Sequence, residues 1–282
     1  MNKIIGIDIG ATKMIGGIFD GSKIVKKVKK LTEANLGIDK VLDNVVEIVK
    51  ALAENNEELL IGIGIAGQID SEKGKIIKSP NMPKLDGIDF SDLLLKKLNG
   101  FKVTKIAIEN DANCFVLAEA KFGAGKGFKN ILGLTIGTGI GSGIIVDSKL
   151  YKGQGFGAEA GHMMLGEKSF ENLASGSAIE KCYGQNIDAV EIENKIERDD
   201  IAKKCYETAG KYLGIGIADL INILCPEIII IGGGLARSDI LIESAKKEMG
   251  KYIFYKDVEF KVEKAMLGDD AGMIGAGLLI SR

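Results

Sequence analysis

Two carboxylates in the chain lie in sequence contexts that favour chemistry over a structural role. Asp8 lies within or at the end of an otherwise apolar predicted strand, where an unpaired buried carboxylate would be energetically costly. Asp111 follows Asn110 at the end of another predicted strand, where a carboxylate can accept the proton of a hydroxyl group that attacks phosphorus. Asparagine and aspartate are also good helix N-caps, so a capping role for Asn110 and Asp111 remains the alternative.

Asp8 precedes a glycine-rich turn that contains Gly10 and Thr12. The backbone N–H groups of such a turn can approach an anion such as phosphate. A carboxylate beside bound phosphates is predicted to hold Mg²⁺, directly or through water, and Lys13 would balance phosphate charge. The alternatives are a turn aspartate with satisfied hydrogen bonds for Asp8 and a solvated strand residue for Lys13.

A second set of polar side chains begins in the glycine-rich stretch Gly153–Gly166. Glu159 and the only histidine, His162, are three positions apart there. This spacing suits two side chains that converge on one small polar ligand, although a packed histidine with satisfied ring nitrogens remains the alternative. Glu171, taken alone, is also compatible with a solvated side chain.

The turn after Asp8 belongs to a segment that occurs twice. Ile4–Asp20 aligns without gaps with Ile131–Asp147, and the two copies share identical residues at Ile4/Ile131, Gly6/Gly133, Ile9/Ile136, Gly10/Gly137, Gly16/Gly143, Ile18/Ile145 and Asp20/Asp147. Each copy predicts a β-hairpin, because two apolar strands flank a glycine-rich turn with a hydroxyl side chain, Thr12 or Thr138. We therefore expect two related halves that face each other across a cleft.

The composition is that of an ordinary globular protein. Among its 282 residues, 46% are apolar and 27% are charged, and the formal net charge is −2. This balance does not favour nucleic acid or anionic membrane as a partner. No apolar run reaches the roughly 18 residues of a membrane helix, and no signal-peptide core is evident, so a cytoplasmic protein is expected.

The four cysteines are far apart in sequence and form no CxxC pair. We therefore expect reduced thiols rather than disulfides or a cysteine zinc site.

Hydrophobic periodicity and turn residues predict the elements that must position these side chains. Further strands are predicted at residues 24–31, 59–65, 75–78, 103–108 and 227–231, and helices at residues 39–54, 90–98, 112–122, 201–224, 238–249 and 271–280. Ser177 and Glu180 have the spacing of a capping box for a further short helix.

The glycines Gly62, Gly64 and Gly67 match the pattern GxGxxG. We do not interpret them as a dinucleotide fingerprint, because such a motif must open a helix and the following residues predict a turn and a strand.

Motifs along nearly the whole chain resemble those of the ROK sugar kinases, a family within the superfamily of actin and hexokinase. In family order they are GIDIGATK (6–13), SPNM (79–82), ENDAN (109–113), LTIGTGIGSGII (134–145), GAEAGH (157–162), ENLASG (171–176), IIIIGGG (228–234) and GDDAGMIGAG (268–277). The ordered set is more specific than any single motif.

The resemblance implies an α/β fold with two ribonuclease H-like domains of the duplicated actin and hexokinase type, separated by an interdomain cleft. The small N-terminal domain would comprise residues 1–110 and 270–282, and the larger C-terminal domain residues 111–269. ATP and Mg²⁺ would bind in the cleft beside a sugar.

The resemblance also assigns expected roles to individual residues. Asp111 matches the family's catalytic base, which accepts the proton of the sugar hydroxyl, usually the 6-hydroxyl of a hexose. The expected sugar-binding residues are Asn81, Asn110, Asp111, Glu159, His162 and Glu171. Asp8, Gly10, Thr12, Gly137, Thr138 and Gly139 match the two phosphate turns, and Gly233 and Gly234 match the backbone beside the adenosine.

The chain departs from the family at one place. Many members carry a CxCGxxGC segment after the histidine and bind a structural zinc with it, whereas this chain has LGEKSF at residues 165–170. Without those thiolates, His162 cannot complete a closed tetrahedral site, so no structural zinc is expected.

The predicted function is therefore an ATP- and Mg²⁺-dependent hexose kinase, with glucose as the expected substrate. N-acetylglucosamine or N-acetylmannosamine kinase activity is the alternative, and a homodimer is the family expectation. A sugar-responsive regulator is more distant, because the family's repressors place a helix-turn-helix ahead of the first strand and few residues precede it here. An actin-like or chaperone-like nucleotide switch would lack the set of Glu159, His162 and Glu171.

Overall fold

The structure is a computed structural model, and it describes residues 3–20, 23–54 and 57–280. The chain divides into two compact units. The first comprises Met1–Gly123, Leu150–Gly157 and Asp269–Arg282, and the second comprises Ala124–Lys149 and Ala158–Gly268.

The elements up to residue 123 include most of the first unit. In chain order they are β1 (Lys3–Ile9), β2 (Lys13–Asp20), β3 (Lys23–Leu31), α1 (Ile38–Leu52), β4 (Glu58–Ile65), β5 (Gln68–Asp70), β6 (Lys75–Lys78), α2 (Phe90–Lys97), β7 (Lys102–Asn110) and α3 (Asp111–Phe122).

The elements after residue 123 form most of the second unit and end with a helix of the first. They are β8 (Ile131–Ile136), β9 (Ile140–Val146), β10 (Lys149–Leu150), β11 (Met164–Leu165), β12 (Lys168–Ser169), α4 (Phe170–Ala174), α5 (Gly176–Tyr183), α6 (Ala189–Glu193), α7 (Asp200–Leu224), β13 (Ile228–Gly232), α8 (Asp239–Tyr252), β14 (Lys261–Lys264) and α9 (Ala271–Leu278).

The two main sheets have matching topologies. Their strand orders are β3-β2-β1-β4-β7 and β10-β9-β8-β13-β14. In the first sheet β1 pairs antiparallel with β2 and parallel with β4, which is parallel to β7. In the second sheet β8 pairs antiparallel with β9 and parallel with β13, which is parallel to β14. Both predicted hairpins are confirmed, and the sequence duplication corresponds to a duplicated sheet.

Alternation along the central strands β1 and β4 explains how the first sheet is covered. The isoleucines of β1 at positions 5, 7 and 9 are fully buried, and so are those of β4 at positions 61, 63 and 65. The apolar face of α1 is buried against this sheet, as its helical periodicity predicts.

Glycines on the other face of the first sheet let α9 approach the strand backbones. A Cβ atom at Gly6 would overlap the carbonyl oxygen of Met273, and one at Gly62 would overlap that of Ala276. On the helix side, a Cβ atom at Gly275 would overlap the carbonyl oxygen of Cys114 in α3. The last helix is therefore held between the first sheet and α3 by direct backbone contact.

The cysteine prediction is wrong for one pair. Cys182 and Cys205 form a disulfide that joins α5 to α7, whereas Cys114 and Cys225 are free thiols. The two bonded cysteines are 23 residues apart, and only the packing of α5 on α7 brings them together.

The predicted capping box is also wrong. The helix α5 begins at Gly176, and its N-cap is Ser175, whose side chain accepts a hydrogen bond from the N–H of Ala178 at 3.4 Å. Glu180 accepts instead from the N–H of Ala189 at 3.1 Å, which ties α5 to the start of α6.

The GxGxxG interpretation is confirmed, because β4 leads through Gly67 into the strand β5 and not into a helix. Over residues 3–20, 23–54 and 57–280, no helix combines the length and the apolar character that crossing a bilayer requires.

Candidate active site

The parallel strands of the first sheet end at one edge, and the polar side chains follow their carboxyl ends. Asp8 is the penultimate residue of β1, and Asp111 is the first residue of α3, directly after β7. In open α/β sheets this edge is where ligands bind. The sheet therefore places Asp8 and Asp111 in the same neighbourhood of the first unit.

The turn between β1 and β2 is braced by a buried threonine. The N–H of Gly10 donates to the carbonyl of Lys13 at 3.1 Å. Thr32, which is fully buried, donates its hydroxyl to the carbonyl of Gly10 at 2.7 Å and its N–H to the carbonyl of Thr12 at 2.9 Å. Because C=O and N–H point in opposite directions in a trans peptide, the N–H of Ala11 points away from Thr32. The turn can therefore present backbone donors to an anion.

Asp8 lies in an electrostatically strained position beside this turn. The pKa of Asp8 is raised to about 7, first by burial and then by the charge of Asp111; Lys13 lowers this pKa and Asp269 raises it. The carboxylate also lies against Gly272 in α9, where a Cβ atom would be 2.6 Å from Oδ2. A carboxylate that is destabilised by its neighbours gains most from a bound cation.

The donor set around Asp8 fits Mg²⁺. Within the described parts of the chain, no group of three His, Cys, Asp or Glu side chains is arranged to hold a metal ion alone. Mg²⁺ commonly binds through one or two carboxylates and completes its shell with water and substrate phosphate oxygens. Asp8, with Asp111 and Asp269 near enough to affect its pKa, matches that kind of site.

Asn110 and Asp111 form the corner between β7 and α3. Asn110 is the N-cap of α3: its Oδ1 accepts from the N–H of Asn113 at 3.0 Å. Its Nδ2 donates to the carbonyl of Gly67 at 2.9 Å. The Asp111 carboxylate accepts from the N–H of Ala112 at 3.0 Å. The capping role is thus present for Asn110, and the predicted roles of both residues toward a sugar stay predictions.

The loop that carries Asn81 is tied to the same corner. Asn81 is exposed, whereas Ser79 is fully buried and donates its hydroxyl to the carbonyl of Ala66 at 2.7 Å. The N–H of Ser79 donates to Asp86 at 2.7 Å, which closes the loop. Gly67, which follows Ala66, accepts from Asn110, so Ser79 in the loop that carries Asn81 and Asn110 beside Asp111 are bonded to adjacent residues of one turn.

The second hairpin turn, between β8 and β9, is braced by α4 and α5. The N–H of Gly176 donates to the carbonyl of Gly137 at 2.8 Å, and that of Ser177 donates to the carbonyl of Thr138 at 3.3 Å. With both carbonyls directed toward α5, the N–H groups of Thr138 and Gly139 point the opposite way. This turn also can present backbone donors to an anion, and Thr138 is exposed.

Gly233 and Gly234 follow β13 beside the same turn. Gly233 has a φ of 86°, and a Cβ atom there would overlap the backbone of Ile136, the residue before Gly137. Only glycine combines this left-handed conformation with so close an approach. The structure thus brings the four predicted nucleotide-binding glycines of the second unit together at one edge of its sheet, Gly137, Gly139, Gly233 and Gly234.

The predicted sugar-binding residues of the second unit are also near each other. The N–H of Ile140 donates to Oε2 of Glu171 at 2.8 Å, so this glutamate is attached to the hairpin. Burial of its carboxyl group raises the pKa of Glu159, although the residue as a whole is exposed; His162 lowers this pKa and Glu171 raises it. Glu159, His162 and Glu171 therefore form one polar cluster, and their expected roles toward a sugar stay predictions.

Some residues near these positions were not identified from the sequence. Oδ2 of Asp269 lies 3.4 Å from Nζ of Lys13, and the charge of Asp269 also raises the pKa of Asp8. Its position in the motif GDDAG was the available signal. No sequence signal pointed to Thr32, because a threonine at the end of a strand is common.

The comparisons with known proteins decide the family. A model of the ROK family matches residues 4–282. The chain belongs to the ROK family. Among ROK relatives, a glucokinase of Thermotoga maritima is 33% identical over 99% of this chain and 97% of its own length. An N-acetyl-D-glucosamine kinase of Photobacterium profundum is 31% identical over 97% of this chain and 98% of its own length.

A solved ROK structure supports the fold. The ROK family glucokinase of Streptomyces griseus, in complex with glucose and AMPPNP, superposes with a TM-score of 0.86 at 26% identity and covers 99% of each chain. The predicted fold class, the α/β fold of the actin and hexokinase type, is confirmed by this likeness and by the two five-stranded sheets.

Proposed function

We propose that this ROK protein is an ATP-dependent sugar kinase that transfers the γ-phosphoryl group of ATP to a hexose hydroxyl. The observation that carries the proposal is the position of Asp111, at the carboxyl edge of the first sheet and near enough to Asp8 to raise its pKa. A proton-accepting carboxylate beside a phosphate-binding turn is the arrangement that phosphoryl transfer to an alcohol requires. The names of the two relatives above support the same activity.

In the proposed mechanism, Asp111 accepts the proton of the attacking sugar hydroxyl. The backbone donors of the two turns, with Lys13, would hold phosphate oxygens and neutralise their charge. Mg²⁺, held at Asp8 directly or through water, would stabilise negative charge on the phosphates. Asn81, Asn110, Glu159, His162 and Glu171 would bind the sugar hydroxyls and fix the orientation of the reacting one. Gly233 and Gly234 would lie beside the adenosine.

Replacement of the base tests this function. Asp111→Asn keeps the size of the side chain but removes its proton affinity, so it should lower kcat by at least ~10²-fold while sugar binding is retained. Coupled ADP release measures turnover, and calorimetry measures sugar binding. Asp92→Asn is the matched control, because Asp92 also lies in the first turn of a helix, α2, in the same unit. Near-normal turnover in Asp111→Asn would reduce Asp111 to a structural residue of α3.

We propose glucose as the substrate and its 6-hydroxyl as the acceptor. N-acetylglucosamine or N-acetylmannosamine is the alternative, which is favoured by the similarity to an N-acetylglucosamine kinase. A screen of ADP release over hexoses and N-acetylhexosamines with Mg²⁺ separates these cases. A protein that binds sugar but releases no ADP with any of them would instead be a sugar-responsive regulator.

We further propose that the enzyme works in the cytoplasm as a homodimer and without nucleic acid. The formal net charge of −2 supports the last point, since nucleic-acid binding depends on clustered positive charge. Light scattering of the purified protein tests the dimer, and a mass equal to one chain would contradict it.

A further inference from the structure

Glu109 is a buried carboxylate that directly precedes Asn110 and Asp111 at the end of β7. Only 1% of its side chain is exposed. Its Oε1 accepts hydrogen bonds from the N–H of Asn110 at 3.0 Å and from Nδ2 of Asn113 at 3.1 Å. Burial of a carboxylate this far from solvent is costly unless a cation and hydrogen-bond donors surround it.

Lys152 supplies that cation from a distant part of the sequence. Its Nζ lies 2.6 Å from Oε2 of Glu109 and donates to Oγ of Ser71 at 2.7 Å. The lysine side chain is 41% exposed and the glutamate side chain 1%, so the pair joins a partly exposed cation to a buried carboxylate. Lys152 thereby joins Leu150–Gly157 to the turn after β5 and to the end of β7, all within the first unit.

Hydrogen bonds continue from this ion pair to the start of α3. Asn110 and Asn113 both donate to Glu109, and Oδ1 of Asn110 accepts from the N–H of Asn113. Asp111 lies between these two asparagines in the first turn of the helix. A shift of the Glu109 carboxylate is therefore passed to the backbone that orients the Asp111 side chain.

We propose that Lys152 and Glu109 are positioning residues for the catalytic base. The ion pair fixes the corner between β7 and α3 and so holds the Asp111 carboxylate in the orientation that accepts the sugar proton. This inference rests on the proposed function of Asp111. Since a small misplacement of a reacting group can lower a rate by up to ~10²-fold, loss of the pair should affect turnover more than nucleotide binding.

A set of lysine variants tests the proposal by separating kcat from KM. Lys152→Met, which keeps an apolar stem but removes the charge, should lower kcat by at least ~10-fold and leave the KM for ATP within about twofold of wild type. Lys152→Arg, which restores a cation beside Glu109, should recover kcat to within about threefold. Lys97→Met is the matched control, because Lys97 is 29% exposed and also pairs with two acceptors, Asp39 and Asp43, on α1. It should leave kcat unchanged.

The ion pair can also be removed from its other side. Glu109→Gln keeps an oxygen acceptor for the two asparagines but removes the charge, and should lower kcat in the same direction as Lys152→Met. The double variant leaves no unpaired buried charge, and its kcat loss should be smaller than the product of the two single losses. Losses that multiply would show that the two residues act independently and would overturn the proposal.

Two further outcomes overturn the inference. The first is a kcat of Lys152→Met within about twofold of wild type. The second is a kcat loss in Lys152→Met that Lys152→Arg fails to recover, or that is fully explained by a smaller folded fraction measured by circular dichroism. Asp111→Asn, assayed in parallel, separates this failure from failure of the proposed function: if that variant is also active, Asp111 is not the base at all.

Discussion

Asp8→Asn should make the ligand-free protein more stable at neutral and alkaline pH. The pKa of Asp8 is raised from 3.8 to about 7, because burial and the charges of Asp111 and Asp269 together outweigh the opposite effect of Lys13. Below pH 3.8 the carboxyl is protonated in both the folded and the unfolded chain. Between pH 3.8 and about 7 the unfolded chain releases the proton while the folded chain keeps it, so the free energy of unfolding falls.

The size of the effect follows from the two pKa values. The difference between 3.8 and about 7 corresponds to about 4 kcal/mol at about 1.4 kcal/mol per pH unit. The stability that neutral Asp8 contributes is fully present below its unfolded pKa and is lost once the pH exceeds about 7. Asparagine has no charged form, so the variant does not undergo this loss.

Urea unfolding in EDTA at pH 5 and pH 8 measures the effect. The advantage of Asp8→Asn over wild type should grow by about 3 kcal/mol between these two pH values. Asp70→Asn is the control, because the hydrogen bond from the N–H of Lys73 lowers the pKa of Asp70 from 3.8, and the stability that its ionised form contributes is already present at pH 5. This variant should therefore be less stable than wild type by about the same amount at both pH values. An advantage of Asp8→Asn that is equal at both pH values, or a loss at pH 8, would refute the account of Asp8.

Two further predictions concern the packing of helices. Gly62→Ala should lower the free energy of unfolding by about 1–3 kcal/mol, because its Cβ atom would overlap the carbonyl of Ala276 in α9. A Cβ atom at Gly250 would meet no atom within 4 Å, so Gly250→Ala should instead raise the free energy of unfolding by about 0.5–1 kcal/mol. Urea titrations measure both changes. Reduction of the disulfide between Cys182 and Cys205, which closes a loop over a separation of 23 residues, should lower stability by about 3 kcal/mol. Thiol titration in urea should find two thiols before reduction and four after it, and four before reduction would contradict the disulfide.

The strongly periodic elements were predictable because their signals are local. The long helix α7 and the buried strand β13 lie at Asp200–Leu224 and Ile228–Gly232, close to the predicted 201–224 and 227–231. Each buries a continuous apolar face, which the sequence records directly. The short strand β14 was not predicted, because its residues are mostly exposed and only its pairing with β13 defines it.

The candidate site was predictable as a set of residues but not as a set of contacts. The spacing of Glu159 and His162 and the motif around Asp111 indicated polar clusters. The sequence could not show that Glu171 accepts a hydrogen bond from the second hairpin, nor that Lys152 pairs with Glu109. These partners are far apart in sequence, and no periodicity relates them.

The sequence by itself determined the duplicated hairpins, the order of the longer strands and helices, and the residue types available for phosphate and sugar. Hydrophobic period and glycine placement encode these features within a few neighbouring residues. Only the tertiary structure decided which side chains share an environment. The examples are the acidic surroundings of Asp8, the disulfide between α5 and α7, and the ion pair between Lys152 and Glu109. Burial and charge interactions depend on distance in space, and that distance is set by how the elements pack.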